Sequence, residues 1–254
     1  TTEGAFDESI RHTITKMSHL HFVTNQIAAK RVCQLGEDPD RVYNFGSPGI
    51  DRIRRLTFLS RADLEASLGF RFRQKNLLVT FHPATLDLQS PAQQFLELLK
   101  GIRIIDSLED DLGIIFTMPN SDPSSRIIVQ MINDYVTDHP NASSYASLGQ
   151  LRYLSTIAQV DVVVGNSSSG LYEVPSFGKP TVNIGDRQKG RLQASSIVNC
   201  APIATDIAQA IQAAFTQDCS QTINPYGDGH SAVKIVKILE QLSEPTKLLK
   251  KHFF

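Results

Sequence analysis

The stretch VVVGNSSSGLYEVPSFGKPTVNIGDRQKGR, residues 162–191, decides how this chain reads. Asp161 to Val164 form a short β-branched apolar run closed by Gly165, the composition of a strand buried on both faces of a parallel sheet. Asn166 to Ser169 follow at once, small polar residues whose side chains suit a helix start. A helix start leaves backbone N–H groups unpaired and carries partial positive charge, so a strand that breaks into such a turn is fitted to receive a phosphate. Glu173 comes one turn later. A carboxylate there repels a phosphate but accepts hydrogen bonds from neutral hydroxyls such as those of a ribose. Beyond a second apolar segment, Thr181 to Ile184, the cations Arg187, Lys189 and Arg191 offer the positive side of a diphosphate site. Two other readings stay open. Ser-rich turns also cap helices with no ligand, and GxS turns form the nucleophile elbow of serine hydrolases. The elbow wants a glycine on each side of its serine, and NSSSG meets that only loosely at Ser168, with no glycine before it.

At 254 residues and 41% apolar, the chain can bury a sizeable core as one domain plus a fragment, and no stretch reads as repetitive or disordered. Lys and Arg total 25 against 26 Asp and Glu, so no basic face suggests nucleic acid, and any anion site must be local. Cys33, Cys200 and Cys219 are odd in number and lack metal or redox spacing, which fits a reducing compartment. No apolar run approaches the ~20 residues that span a bilayer, and the start of the chain lacks a signal-peptide pattern; the expectation is a soluble cytoplasmic protein with no membrane partner.

The order of elements points to a parallel sheet. Helical spacing over Phe6 to Ser18 precedes a strand at His19 to Thr24, and Asn25 caps a helix ending near Gly36. The Gly/Pro-rich break at Gly46 to Gly49 is the expected domain boundary, giving units 1–46 and 47–254. After a charged helical pair through Gly69, strands at 77–81, 113–118, 143–145, 161–164, 181–184 and 196–199 alternate with helices at 92–100, 124–138 and 148–158, and two helices finish the chain. In such sheets the ligand lies beyond the carboxyl ends of the strands, where His82, Asn120, Asn166 to Ser169 and Arg187 all fall.

Residues 162–191, with His82 in VTFHPATL, Asn120 in TMPN and FDESIRHTITKMSHLHFVT at 6–24, resemble the hydrolysing UDP-N-acetylglucosamine 2-epimerases of sialic-acid biosynthesis. The resemblance covers essentially the whole chain, and the motifs together are far more specific than any one. It implies an α/β, GT-B-like fold of two Rossmann-like domains. The chain is then expected to begin near the end of the first domain, so that 1–46 is its remnant and 47–254 the UDP-binding domain with a last helix returning toward the first.

Carried over position by position, the resemblance gives Ser167 and Ser168 to the diphosphate, Glu173 to the ribose and Arg187 to the phosphate or base. Leu148 falls where the family's backbone pairs with the uracil edge, and Asn120 matches a nucleotide-contacting Asn. His82 matches a His on the diphosphate that serves leaving-group stabilisation or proton transfer; by itself it also reads as a structural histidine. Asp7 and Glu8 alone are ordinary acids of a helix start, but FDESIR matches the family's acidic pair, one member abstracting the C2 proton or activating water, with Arg11 a turn away to orient it. His12, His19 and His21 lack metal-site spacing, and neither metal nor cofactor is expected.

The implied reaction eliminates UDP across C1 and C2 of UDP-N-acetylglucosamine and adds water with inversion, releasing N-acetylmannosamine. Rival readings are the same chemistry on a UDP-2,4-diacetamido-trideoxy-hexose, a glycosyltransferase, and a UDP-sugar-binding fragment inactive without the rest of the first domain. A non-hydrolysing epimerase fits less well, its motif being closer to DSGGxQEE. NPYGDG at 224–229 resembles the family's turn before the returning helix, and apolar residues on the first helix suggest a dimer interface or a cleft wall, a homodimer being the expectation.

Overall fold

The computed structural model describes residues 7–83, 90–120, 125–252 and 254. Asp7 and Glu8 open the first helix, but their side chains lie outside what is described. The chain divides into two compact units, residues 57–223 and residues 1–56 with 224–254.

The larger unit is a six-stranded sheet with every neighbouring pair parallel. In chain order its elements are α4 (61–68), β3 (75–80), α5 (91–108), β4 (112–117), α6 (125–138), β5 (142–145), α7 (149–159), β6 (162–165), α8 (168–172), β7 (181–184), β8 (197–200) and α9 (204–216). The strands lie in the order β5-β4-β3-β6-β7-β8. The chain therefore starts in the middle, works out to β5, returns to β6 beside its starting strand and works out the other way. This is the doubly wound order of a mononucleotide-binding fold, with its switch point between β3 and β6.

The pattern of residues explains the burial. Leu77, Val79 and Phe81 point into one core with Phe95, Leu98 and Ile102 of α5, Ile128 and Ile132 of α6, and Ile207 and Ile211 of α9. Leu78 and Val163, one position out of phase and equally buried, face the opposite layer, to which α7 brings Leu154 and Ile157. One helix differs from its sequence reading: α5 runs on to Leu108 instead of stopping at Lys100. Gly101 reads as a stop signal, yet a Cβ there would stand 2.9 Å from Ile207 and 3.0 Å from the Ala204 carbonyl. The glycine lets α9 lie close against α5, so its reason is tertiary rather than local.

The smaller unit holds α1 (7–17), β1 (21–23), α2 (26–34), β2 (42–44), α3 (48–55) and α10 (231–240), with β1 and β2 paired in parallel. Buried Asp51 in α3 accepts the N–H groups of Ser231 and Ala232, at 2.9 and 2.6 Å, and so caps α10. This tie holds α3 and α10 in one compact unit, made of residues 1–56 and 224–254. Glu37, 2% exposed, collects Lys16, His21 and Lys251 at 2.5, 2.9 and 2.6 Å. Lys251 also caps the end of α1 by donating to the carbonyls of Thr15, Lys16 and Ser18. Ile10, Ile14 and Met17 of α1 are exposed.

Candidate active site

Five parallel strands end on one rim of the larger unit, and each releases a candidate residue there. His82 follows β3, Asn120 follows β4, Leu148 follows β5, Asn166 follows β6 and Arg187 follows β7. Parallel strands aim their carboxyl ends the same way, so the topology brings these positions together.

Gly165 lets the two central strands meet. Its φ is +137°, and a Cβ on it would stand 1.9 Å from the Thr80 carbonyl oxygen, so only glycine fits. Past it the Asn166 N–H donates to Thr80 O at 3.2 Å. The Asn166 side chain then takes over from the backbone ladder. Its Oδ1 accepts the His82 N–H at 2.7 Å, and its Nδ2 donates to the His82 carbonyl at 2.8 Å. The peptide oxygen of Asn166 in turn accepts Arg187 Nη1 at 3.0 Å and Gln188 Nε2 at 2.8 Å. Asn166 is 1% exposed and Gln188 2%, so this junction is shielded from water.

His82 is 8% exposed. Its Nδ1 accepts the Asn120 N–H at 3.3 Å, which assigns the proton of the neutral ring to Nε2. The Asn120 carbonyl is in turn held by the Ser125 hydroxyl.

Ser167 caps α8, accepting the Ser169 N–H at 3.4 Å. Ser168, the first residue of that helix, is exposed, and its N–H donates to nothing among the described residues. Behind it runs a hydrogen-bond chain: Tyr153 OH donates to Ser169 Oγ at 2.8 Å, and Ser169 Oγ donates to Glu173. One Glu173 oxygen is thereby committed to the helix, and the carboxylate as a whole remains an acceptor. Burial first, then the Glu173 charge, push the Tyr153 hydroxyl up to about 12, so it stays a donor.

The three cations of the segment differ. Arg187 is bonded into the turn, Lys189 is exposed and pairs with Asp186 at 3.6 Å, and Arg191 lies over the Tyr172 ring at 5.6 Å. Leu148 is buried at the start of α7, where its carbonyl accepts Arg152 Nε at 2.9 Å. Asp7 and Glu8 belong to the other unit. No group of three His, Cys, Asp or Glu suited to a metal occurs among the described residues.

Sequence reasoning missed Tyr153 and Gln188. Tyr153 sits mid-helix in a pattern that reads simply as amphipathic, and Gln188 is the neutral member of a basic cluster. Gln188 Oε1 is buried without a partner among the described residues.

Residues 1–240 match the UDP-N-acetylglucosamine 2-epimerase family. The chain belongs to this family. It is 38% identical, over 87% of its length, to a GDP/UDP-N,N'-diacetylbacillosamine 2-epimerase (hydrolyzing) of Campylobacter jejuni, and covers 56% of that protein. It is 35% identical over 94% of its length to polysialic acid biosynthesis protein P7 of Escherichia coli, covering 61% of it. The chain thus spans less than two thirds of these relatives' lengths. A solved UDP-GlcNAc 2-epimerase of Neisseria meningitidis bound to UDP-GlcNAc superposes with a TM-score of 0.70 at 16% identity, over 94% of this chain and 65% of that one. That likeness is one of fold, and the Rossmann-like, GT-B-class fold expected of this family is the fold present.

Proposed function

We propose that the whole protein is a hydrolysing UDP-sugar 2-epimerase acting on UDP-N-acetylglucosamine, and that residues 57–223 form its UDP-diphosphate site. The observation that carries this is the junction at the switch point, where Asn166 joins the His82 backbone and the Arg187 guanidinium beside an exposed Ser-capped helix start. The family membership and the UDP-GlcNAc bound to the Neisseria meningitidis relative support the ligand class.

In this reading Ser167 and Ser168 supply hydroxyl and N–H donors to the diphosphate, and Arg187 supplies the cation. His82 Nε2–H donates to the phosphate oxygen on which charge develops as the C1–O bond breaks. Glu173 accepts from the ribose, the Leu148 backbone pairs with the base, and Asn120 contacts the nucleotide. Asp7 or Glu8 removes the C2 proton, UDP leaves with the C1–O electron pair, and a C1–C2 double bond forms. Water then adds across it, its hydroxyl to C1 and a proton to C2 from the opposite face, giving N-acetylmannosamine. The C2 hydrogen is only weakly acidic, so stabilisation of the departing diphosphate carries much of the work.

A second reading, the same reaction on UDP-N,N'-diacetylbacillosamine, is favoured by the 38% identity to the Campylobacter jejuni protein. The first test is calorimetric titration with UDP of the chain and of His82→Ala and Arg187→Ala. Weakened binding in both variants is expected, and unchanged binding in both refutes the site. Release of N-acetylmannosamine by the intact protein, measured against hydrolysis of the diacetylated sugar nucleotide, decides between the substrates.

A further inference from the structure

We propose that Asn166 is a positioning residue of this site, one that sets where His82 and Arg187 stand relative to each other. This rests on the roles just given to those two residues. The geometry is specific. A strand that had simply ended would leave the His82 N–H and C=O to water, whereas here one buried side-chain amide engages both, at 2.7 and 2.8 Å. The donor and acceptor of a primary amide match a peptide edge, so Asn166 supplies one further rung between two strands whose backbones separate after Gly165. The peptide oxygen of the same residue is a shared acceptor for Arg187 and Gln188. Moving Asn166 therefore moves the imidazole through its backbone and the guanidinium through a hydrogen bond, together. With two catalytic groups hung on one hub, small displacements matter, because a reacting group about 1 Å out of place costs on the order of a hundredfold in rate.

The residue type follows. Aspartate keeps the acceptor for the His82 N–H but, when ionised, turns a second oxygen toward the His82 carbonyl. When protonated, its O–H restores the donor and the shape of the amide. Among the described residues, the charged or titratable groups hydrogen-bonded to this hub are His82 and Arg187, and an ionised carboxylate here also pairs with the Arg187 cation and draws it out of place.

The test is a double-mutant cycle on the intact protein, with kcat and KM for UDP-N-acetylglucosamine, or for the diacetylated sugar if that is the one turned over. Thermal melting accompanies each variant. Asn166→Ala is expected to lower kcat about 10- to 100-fold with KM changed less than about threefold, by analogy with the loss of orienting partners around other catalytic groups. In a His82→Ala background the same substitution should cost at least about threefold less than in wild type, because its effect through the imidazole is gone and only that through Arg187 is left. Asn166→Asp serves if the alanine variant does not fold: its kcat relative to wild type at each pH should rise as the pH falls and the carboxyl protonates. The proposal is overturned if a folded Asn166→Ala protein keeps wild-type kcat, if the penalty is the same in both backgrounds, or if the aspartate variant tracks wild type at every pH. Wild-type turnover by His82→Ala and Arg187→Ala overturns the underlying reading as well, and so is told apart from failure of the positioning role alone.

Discussion

Gly165→Ala is expected to be among the most damaging single-methyl additions in the larger unit. The new Cβ would lie 1.9 Å from the Thr80 carbonyl oxygen, in a backbone conformation with φ of +137° that an L side chain rarely adopts. Unfavourable backbone costs about 1–3 kcal/mol by itself. Relief of the contact requires β6 to move away from β3 by more than an ångström, which breaks Asn166 N–H to Thr80 O and both bonds between the Asn166 amide and His82. At about 1 kcal/mol for each bond, the total is about 4–6 kcal/mol, a large part of a domain's stability. Gly69→Ala is the matched control. Gly69 also has a left-handed φ, at +63°, but nothing stands within 4 Å of its missing Cβ, so only about 1–2 kcal/mol should be lost. Denaturant unfolding of both variants, with UDP titration of whichever remains folded, separates backbone strain from close approach. Equal losses in the two variants, or a Gly165→Ala protein with wild-type UDP affinity, would refute the reasoning.

Other outcomes can be checked alongside. Burial alone would raise the Glu37 carboxyl, but hydrogen bonds from Lys16, Lys251 and His21 outweigh it and hold it at about 2 against an ordinary 4.5. Its stabilisation is therefore present above pH 4.5 and lost as pH falls toward 2, with a ceiling of about 3 kcal/mol because Lys16 is a third exposed. His21, lowered chiefly by burial, acts in the same direction: the unfolded imidazole takes its proton first as pH drops below 6.5. Glu37→Gln should flatten the acid limb of a stability profile taken by thermal melting; a limb of unchanged slope argues against the cluster as its source. Asp51→Ala removes both acceptors from the start of α10 and should cost about 2 kcal/mol by denaturant unfolding, whereas a loss under about 0.5 kcal/mol would remove its capping role. Tyr153→Phe should weaken UDP binding by less than about tenfold, because Glu173 keeps its Ser169 donor. Wild-type affinity should also be the same at pH 9 as at pH 7 so far as Tyr153 is concerned, its hydroxyl losing its proton only near 12.

The strands of the larger unit were legible because strands buried on both faces must be apolar and β-branched, and VVVG at 162–165 has no other economical reading. The shared placement of the rim residues followed from topology, since a parallel sheet puts every strand's carboxyl end on one side, while the choice of His82, Asn120 and Leu148 came from the family resemblance. What was hidden depended on contacts distant in sequence. Gly101 resembles a helix terminator until α9 is laid against it, and the affinity of α3 for α10 rests on Asp51 meeting residues 180 positions away. The junction itself was half visible: Asn166 could be read as a polar residue in an anion-binding turn, but not as the partner of the His82 peptide. Tyr153 and Gln188 carry no local signature at all, their roles being fixed by which strands and helices neighbour them.

The pairing of β3 with β6 has a kinetic consequence. His82 and Asn166 are 84 residues apart in sequence, and every element from α5 to α7 intervenes. Closing so long a loop comes late in folding, after the local strand–helix units have something to dock on. The rim that carries His82, Asn166 and Arg187 is then completed only with that closure, and partly folded chains lack it. A ligand held there draws the equilibrium toward the finished state by mass action, adding about 2.7 kcal/mol at a hundred times its dissociation constant. On the proposed reading, a nucleotide held there would act as a folding chaperone does in reverse: it would not shelter the immature forms, but it would withdraw the mature one from unfolding.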